Sequence, residues 1–181
     1  GTTAIQGANG KFSNLDESLV RNVDRRIFGQ HKARSVIDLD RMTPADISTL
    51  KAQIGAGTVN AVYVHLAEGV DVPSRNEFTT LVNAGLLTPA TIIIHGTALE
   101  PSDLDAVAAA GAKLVWSPQS NLRLYGRTTL AGAAIKRGIQ VGLGADWLPS
   151  GSPSLLAELK VARQSLIEEG HPATPRQLVR M

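Results

Sequence analysis

The sequence predicts an α/β fold in which a parallel sheet is covered by helices. Short runs rich in β-branched residues alternate with longer segments whose apolar residues recur at helical spacing. The strand-like runs begin at residues 2, 35, 61, 91, 113 and 140, so successive starts lie 22 to 33 residues apart. That interval is close to the length of one strand and one crossover helix, which indicates repeated βα units.

Six strands are predicted from the β-branched runs. They cover residues 2–6, 35–39, 61–66, 91–95, 113–117 and 140–143. Val62-Tyr63-Val64 and Ile92-Ile93-Ile94 are continuously apolar rather than alternating, which is typical of strands buried on both faces. Because no Gly/Ser-rich linker divides the series, one domain over residues 1–181 is predicted.

Six helices are predicted between and after the strands. They cover residues 15–27, 44–54, 75–84, 100–110, 129–136 and 155–169. Gly85, Gly111 and Gly138 follow three of these runs, and glycine tolerates the left-handed conformation that often ends a helix. Thr174-Pro175 begins a further short helix, with threonine at the cap and proline at the first helical position.

Two closures of the sheet are open from this pattern, an open doubly wound sheet and a (β/α)8 barrel. A complete barrel takes about 250 residues, so six units in 181 residues would form most of one. In either closure the functional residues are expected at the carboxyl ends of the parallel strands.

The composition excludes several classes of protein. The chain is 43% hydrophobic and 19% charged, with a formal net charge of +2 and no cysteine. Disorder is excluded, nucleic-acid binding has no support from the dispersed charges, and a metal site would have to use His, Asp or Glu. No apolar stretch approaches the roughly 18 residues that span a bilayer. We therefore expect a soluble, cytoplasmic protein without a membrane partner.

Three apolar strands run directly into an ionisable residue, His65, His95 or Asp146. Neighbouring strands lie about 4.8 Å apart, so these side chains can converge on one divalent ion. Taken singly, each residue is more often structural, as a histidine bonded to backbone or an aspartate capping a helix. Taken jointly, they indicate a shared site.

Further polar residues fall near the same strand ends. Glu68 follows His65 by three residues and is suited to move a proton from metal-activated water to a substrate, the alternative being a solvent-facing charge. The segment Ser117-Pro118-Gln119-Ser120-Asn121 is expected to be a loop on the same rim. Ser120, Asn121 and Trp147 are candidate substrate-binding residues.

Other histidines and carboxylates are given structural interpretations. His31 and His171 lie among loop residues and are interpreted as solvated. Asp38 and Asp40 end an early strand, and capping or an ion pair with Arg41 is favoured for one of them.

The ordered motifs resemble the amidohydrolase superfamily, and within it the cytosine deaminase-like and chlorohydrolase-like branch. Nearly the whole chain is covered by this resemblance. The motifs are His65-Leu66-Ala67-Glu68, Ile94-His95-Gly96-Thr97, residues 116–126 and Leu143-Gly144-Ala145-Asp146-Trp147.

The resemblance implies a distorted (β/α)8 barrel with a divalent metal at its mouth. His65 and Asp146 would bind the metal, Glu68 would shuttle protons, and His95 would polarise the substrate, with Asp146 also helping to activate the water. His95 is itself a ligand in binuclear relatives, but the His-x-x-Glu pattern favours one metal. Zinc is the favoured ion, with iron or manganese as alternatives.

Family members supply two further ligands as His-x-His on the first barrel strand, and no His-x-His occurs in these 181 residues. The first metal-binding strand and a flanking β-sandwich are therefore expected to be absent from this chain, which would form a partial metal-dependent hydrolase barrel domain over residues 1–181. Two ligands rarely enclose zinc, so the isolated chain is expected to be inactive.

The expected reaction is hydrolysis of a C–N bond in a small-molecule amide, amidine or amino-substituted ring by metal-activated water. The alternative is a non-catalytic α/β binding domain or a degenerate relative of the family. An open barrel seam would expose unpaired backbone and apolar surface, so self-association or a homo-oligomer is also expected.

Overall fold

A computed structural model describes residues 4–5, 21–22, 39 and 42–181 of the chain. At the start of the chain, β1 (Ala4–Ile5) and β2 (Arg21–Asn22) pair in parallel, with Ala4 opposite Arg21. The helix predicted over residues 15–27 is wrong at Arg21–Asn22, because pairing with β1 outweighs a local apolar spacing that suited a helix. The strand predicted over residues 35–39 lies outside the described residues, apart from Leu39.

The main sheet contains four parallel strands in the order β3-β4-β5-β6. They are β3 (Val62–Leu66), β4 (Thr91–His95), β5 (Lys113–Trp116) and β6 (Val141–Leu143). Sequential neighbours pair throughout, as expected for successive βα units. The α/β fold and these four strands confirm the prediction, and all four carboxyl ends lie at one edge of the sheet.

Among the described residues, one α-helix precedes the four-stranded sheet and six follow its strands. They are α1 (Pro44–Gly55), α2 (Val72–Asn83), α3 (Pro101–Ala109), α4 (Pro118–Tyr125), α5 (Ala131–Lys136), α6 (Leu155–Glu168) and α7 (Pro175–Val179). Four of these helices have an N-cap side chain that accepts a hydrogen bond from a backbone N–H in the first turn. The capping residues are Thr43, Asp71, Ser154 and Thr174.

The helix α4 corrects the loop expected after β5. Pro118 occupies the first helical position, where its fixed φ and missing N–H cost little. The helix ends at Gly126, whose φ of 67° lies in the left-handed region. These two signals were present in the sequence, but the polar composition of the segment favoured a loop.

The core consists of aliphatic side chains between the sheet and its helices. Val64, Ile93, Leu114 and Trp116 from the strands pack with Leu81, Leu104 and Leu166 from the helices. Among the described residues, no helix has the length and apolar character needed to cross a membrane.

Candidate functional site

The end of β3 places His65 at the edge of the sheet and then turns sharply. His65 is partly buried, and among the described residues its buried Nδ1 has no hydrogen-bond partner. Ala67, two residues later, has a φ of 52°, which is strained for a residue with a Cβ. Its N–H donates to Glu77 Oε2 at 2.7 Å, so α2 stabilises the turn that leads to Glu68.

The end of β4 brings a second imidazole to the first. The ring centroids of His95 and His65 lie 5.4 Å apart, with the ring planes at 44°. Only 2% of His95 is exposed. Its Nδ1 lies 3.2 Å from Asn121 Nδ2, and its carbonyl oxygen accepts a hydrogen bond of 2.6 Å from Thr129 Oγ1. Both the ring and the backbone of His95 are therefore fixed by groups that follow β5.

Glu68 faces the buried ring of His95. Its Oε1 lies 3.6 Å from His95 Nε2 and accepts a hydrogen bond of 3.1 Å from the hydroxyl of Tyr125. About a third of the Glu68 side chain is exposed, so it can reach both His95 and a solute at the mouth. Tyr125 was not predicted, because it belongs to the unpredicted helix α4 and lies 57 residues from Glu68.

The electrostatics of this group follow from burial. Burial lowers the pKa of His95, and the nearby carboxylates of Glu68 and Asp146 oppose that shift in part. Burial and the Glu68 carboxylate raise the pKa of Tyr125 to about 12. The hydroxyl of Tyr125 therefore stays protonated at neutral pH and remains a donor to Glu68.

Asp146 lies after β6, at the same edge as the two histidines. It is exposed and has a φ of 59°. The loop after Asp146 folds back tightly, since a Cβ on Gly151 would lie 1.9 Å from the carbonyl oxygen of Ala145. Asp146 influences the pKa values of His95 and Tyr125, so its charge acts on the same group of residues.

The three candidate substrate-binding residues differ in position. Trp147 is 67% exposed beside Asp146, where a substrate can reach it. Ser120 and Asn121 are fully buried, because they lie on the inward face of α4 rather than on a loop. Ser120 Oγ donates to Ser150 Oγ at 3.0 Å, and Asn121 is engaged by His95. Both are therefore bonded within the protein, which does not support direct contact with a substrate.

Glu158 is a buried carboxylate near the site that no sequence motif predicted. It is fully buried in α6, and its Oε1 accepts a hydrogen bond of 2.8 Å from the backbone N–H of Gln119 in the first turn of α4. Burial raises the pKa of Glu158. Its helical spacing with the buried Ala162 and Ser165 is the signal that could have identified it.

Four other histidines and aspartates were given structural interpretations from the sequence. His31, Asp38 and Asp40 lie outside the described residues. The solvated interpretation of His171 is wrong in part. Its ring is partly buried, and a Cβ on Gly132 would lie 2.3 Å from its Cδ2, so the ring packs against the first turn of α5.

The side chains at this edge of the sheet can be compared with the ligands that a divalent metal requires. Within residues 42–181, no three His, Asp or Glu side chains are arranged so as to hold a metal ion. His65 and Asp146 nevertheless have the chemistry of two metal ligands. Nδ1 of His65 has no hydrogen-bond partner and could offer its lone pair to a metal ion, and Asp146 is a carboxylate at the same edge of the sheet.

No protein-family model matches the chain. The chain is 31% identical over 109 residues to the 5-methylthioadenosine/S-adenosylhomocysteine deaminase of Teredinibacter turnerae, a match that covers 56% of this chain and 25% of that protein. In structure it resembles a zinc-bound adenosine deaminase from Xanthomonas campestris, with a TM-score of 0.66 and 20% identity over 75% of this chain and 32% of that one.

A second solved structure is the zinc complex of atrazine chlorohydrolase from Arthrobacter aurescens. The TM-score is 0.65 at 20% identity, and the match covers 77% of this chain and 33% of that one. The chain thus spans about a quarter to a third of the length of these three proteins. The solved structures show that the chain has the α/β fold of part of a (β/α)8 barrel. The deaminase match agrees with the resemblance of the strand-end motifs to the amidohydrolase superfamily.

Proposed function

We propose that the whole protein is a metal-dependent hydrolase of C–N bonds, in which residues 1–181 form a partial barrel domain. The observation that carries this proposal is the approach of His65 and His95 to 5.4 Å, with Glu68 Oε1 3.6 Å from His95 Nε2. A merely structural pair of histidines would not need a partly exposed carboxylate at its open side.

His65 and Asp146 are the residues of this chain that would hold the metal. A divalent ion supplies Lewis acidity and lowers the pKa of water toward 7. The zinc in the Xanthomonas and Arthrobacter structures supports zinc as the ion. The remaining ligands would have to come from outside the residues described, because structural and catalytic zinc sites normally use at least three protein ligands.

Glu68 would take a proton from the attacking water and deliver it to the leaving nitrogen. The bond from Tyr125 to its Oε1 orients the carboxylate, and Oε2 is the oxygen that would carry the proton. His95 would stabilise negative charge that develops on the substrate. Its burial lowers the pKa, so the ring is neutral at physiological pH and acts by hydrogen bonding.

The substrate would be a small molecule bearing an amide, amidine or amino-substituted ring. The deaminase named in the sequence match supports the amino-substituted ring among these. Trp147 would contact the substrate, since it is exposed next to Asp146. A homo-oligomer is also proposed, because apolar side chains including Leu148 and Leu156 are exposed.

Ammonia release by the whole, zinc-loaded protein from a panel of amino-substituted rings and amidines tests this function. His65→Ala, Asp146→Ala and Glu68→Gln should each reduce kcat/KM by about 10²-fold or more. Glu168→Gln is the matched control, because Glu168 is exposed on the outer part of α6. Rates unchanged by all three site variants would support the non-catalytic binding domain instead.

A further inference from the structure

A chain of hydrogen bonds leads from a buried indole to the ring of His95. Trp116 Nε1 donates to Thr128 Oγ1 at 2.7 Å. Thr128 Oγ1 lies 3.5 Å from Asn121 Oδ1, and Asn121 Nδ2 lies 3.2 Å from His95 Nδ1. Trp116 and Asn121 are fully buried, so the surrounding packing holds these hydrogen-bonded side chains in place.

The indole sets the donor-to-acceptor direction of this series of hydrogen bonds, because an indole N–H can only donate. Thr128 must accept from it and retains its own proton. Among the contacts of the described residues, that proton has one acceptor, the side-chain oxygen of Asn121. The amide of Asn121 is thereby oriented with its oxygen toward Thr128 and its NH2 group toward His95.

The NH2 group of Asn121 faces Nδ1 of His95 and so decides the tautomer of the imidazole ring. Nδ1 must be the acceptor, so the proton of a neutral imidazole lies on Nε2. Nε2 is the atom that lies 3.6 Å from Glu68 Oε1 at the open side of the site. The opposite orientation of the amide would place the proton on Nδ1 and leave Nε2 as an acceptor.

We propose that Asn121 is a positioning residue that fixes His95 as the Nε2–H tautomer, so that His95 presents a hydrogen-bond donor to the substrate. The donor role toward a substrate rests on the proposed hydrolase function. The tautomer does not, since it follows from bonds within the protein. This assigns Asn121 a role in place of the substrate contact expected from the sequence.

Long-range ¹H–¹⁵N NMR of the imidazoles in the full, metal-free 181-residue chain tests the proposal without any activity. A protonated ring nitrogen and a non-protonated one resonate in well-separated ¹⁵N regions, and the His95 signals are identified by their loss in His95→Gln. We expect Nε2 in the protonated region and Nδ1 in the non-protonated region. The reverse assignment would overturn the proposal.

Two variants separate positioning from a purely structural effect. Asn121→Asp replaces the donor with an acceptor, so Nδ1 should move to the protonated region. Thr128→Val removes the hydroxyl at nearly constant volume and should give a mixture of the two tautomers. Asn83→Asp is the matched control, because it makes the same substitution on the exposed face of α2.

The control should leave the His95 signals unchanged, and circular dichroism checks that each variant is folded. Identical His95 signals in the parent chain, Asn121→Asp and Thr128→Val would show that Asn121 does not set the tautomer. A failure of the hydrolase assay with the expected NMR result would reject the proposed function alone.

Discussion

The ring of His95 meets the ring of His65 although the two residues are not opposite each other in the sheet. The register pairs His95 with Leu66 and His65 with Ile94. Adjacent residues of a regular strand point to opposite faces, so an extended His95 would point away from His65. A φ of 72° at His95 turns the chain out of the strand and is consistent with the contact of the two rings.

This left-handed backbone is expected to depend on Thr129, whose hydroxyl donates to the His95 carbonyl. Thr129→Val should lower the free energy of unfolding by about 1 to 3 kcal/mol, because it leaves a buried acceptor unpaired. Urea unfolding measures the change. In Thr80→Val, the matched control, the lost bond to Asn76 is exposed, and a change within about 0.5 kcal/mol is expected. Equal effects in the two variants would contradict this account.

Glu158 should make stability depend on pH. Burial raises the pKa of Glu158 in the folded chain. At pH values between its pKa in the unfolded chain and its pKa in the folded chain, the native state therefore binds more protons than the unfolded state. The free energy of unfolding therefore falls as pH rises through that window. Glu158→Gln cannot titrate and keeps an oxygen for the Gln119 N–H. Its stability relative to the parent chain should increase from about pH 4 upward.

Urea unfolding of both chains across that pH range checks the prediction. Glu168→Gln, on the same helix but exposed, should follow the pH dependence of the parent chain. If the curve of Glu158→Gln also runs parallel to that of the parent, the buried carboxylate does not have the assigned effect.

Tyr125 is expected to matter for the orientation of Glu68. Tyr125→Phe removes the donor to Oε1 and should reduce kcat/KM of the whole protein about tenfold, as expected for a bond of about 1.4 kcal/mol. Steady-state assays measure the effect. Leu124→Ala removes an exposed side chain from the adjacent position of α4 and should leave the rate unchanged. A rate of Tyr125→Phe equal to that of the parent would exclude this role.

The isolated chain should hold zinc weakly, since it contributes two ligands to the proposed site. Elemental analysis after dialysis should find much less than one zinc per chain, and the residual amount should fall further in His65→Ala. A stoichiometric metal that survives dialysis would contradict this expectation.

The strand ends were predictable and the groups that support them were not. His65, His95 and Asp146 follow apolar strands, and parallel strands bring their carboxyl ends to one edge, so the sequence was enough to group these residues. Asn121 and Tyr125 approach from α4, whereas the sequence predicts a loop over the first part of that helix, up to Asn121. Their partners lie 26 and 57 residues away, and no local pattern carries such contacts.

Contacts between distant residues also explain why the sequence did not predict the role of Glu158 or the strand at Arg21–Asn22. The partner of Glu158, Gln119, is 39 residues away, and a charged residue among apolar neighbours is typical of any amphipathic helix. At Arg21–Asn22, the pairing partner rather than the local spacing decides the conformation.

The most direct measurement is the anomalous X-ray signal in crystals of the whole protein loaded with zinc. We expect one zinc peak at about 2.0 to 2.2 Å from a ring nitrogen of His65 and from a carboxylate oxygen of Asp146, with Glu68 beside it and unligated. A zinc peak away from His65 and Asp146, or none in active crystals, would contradict this expectation.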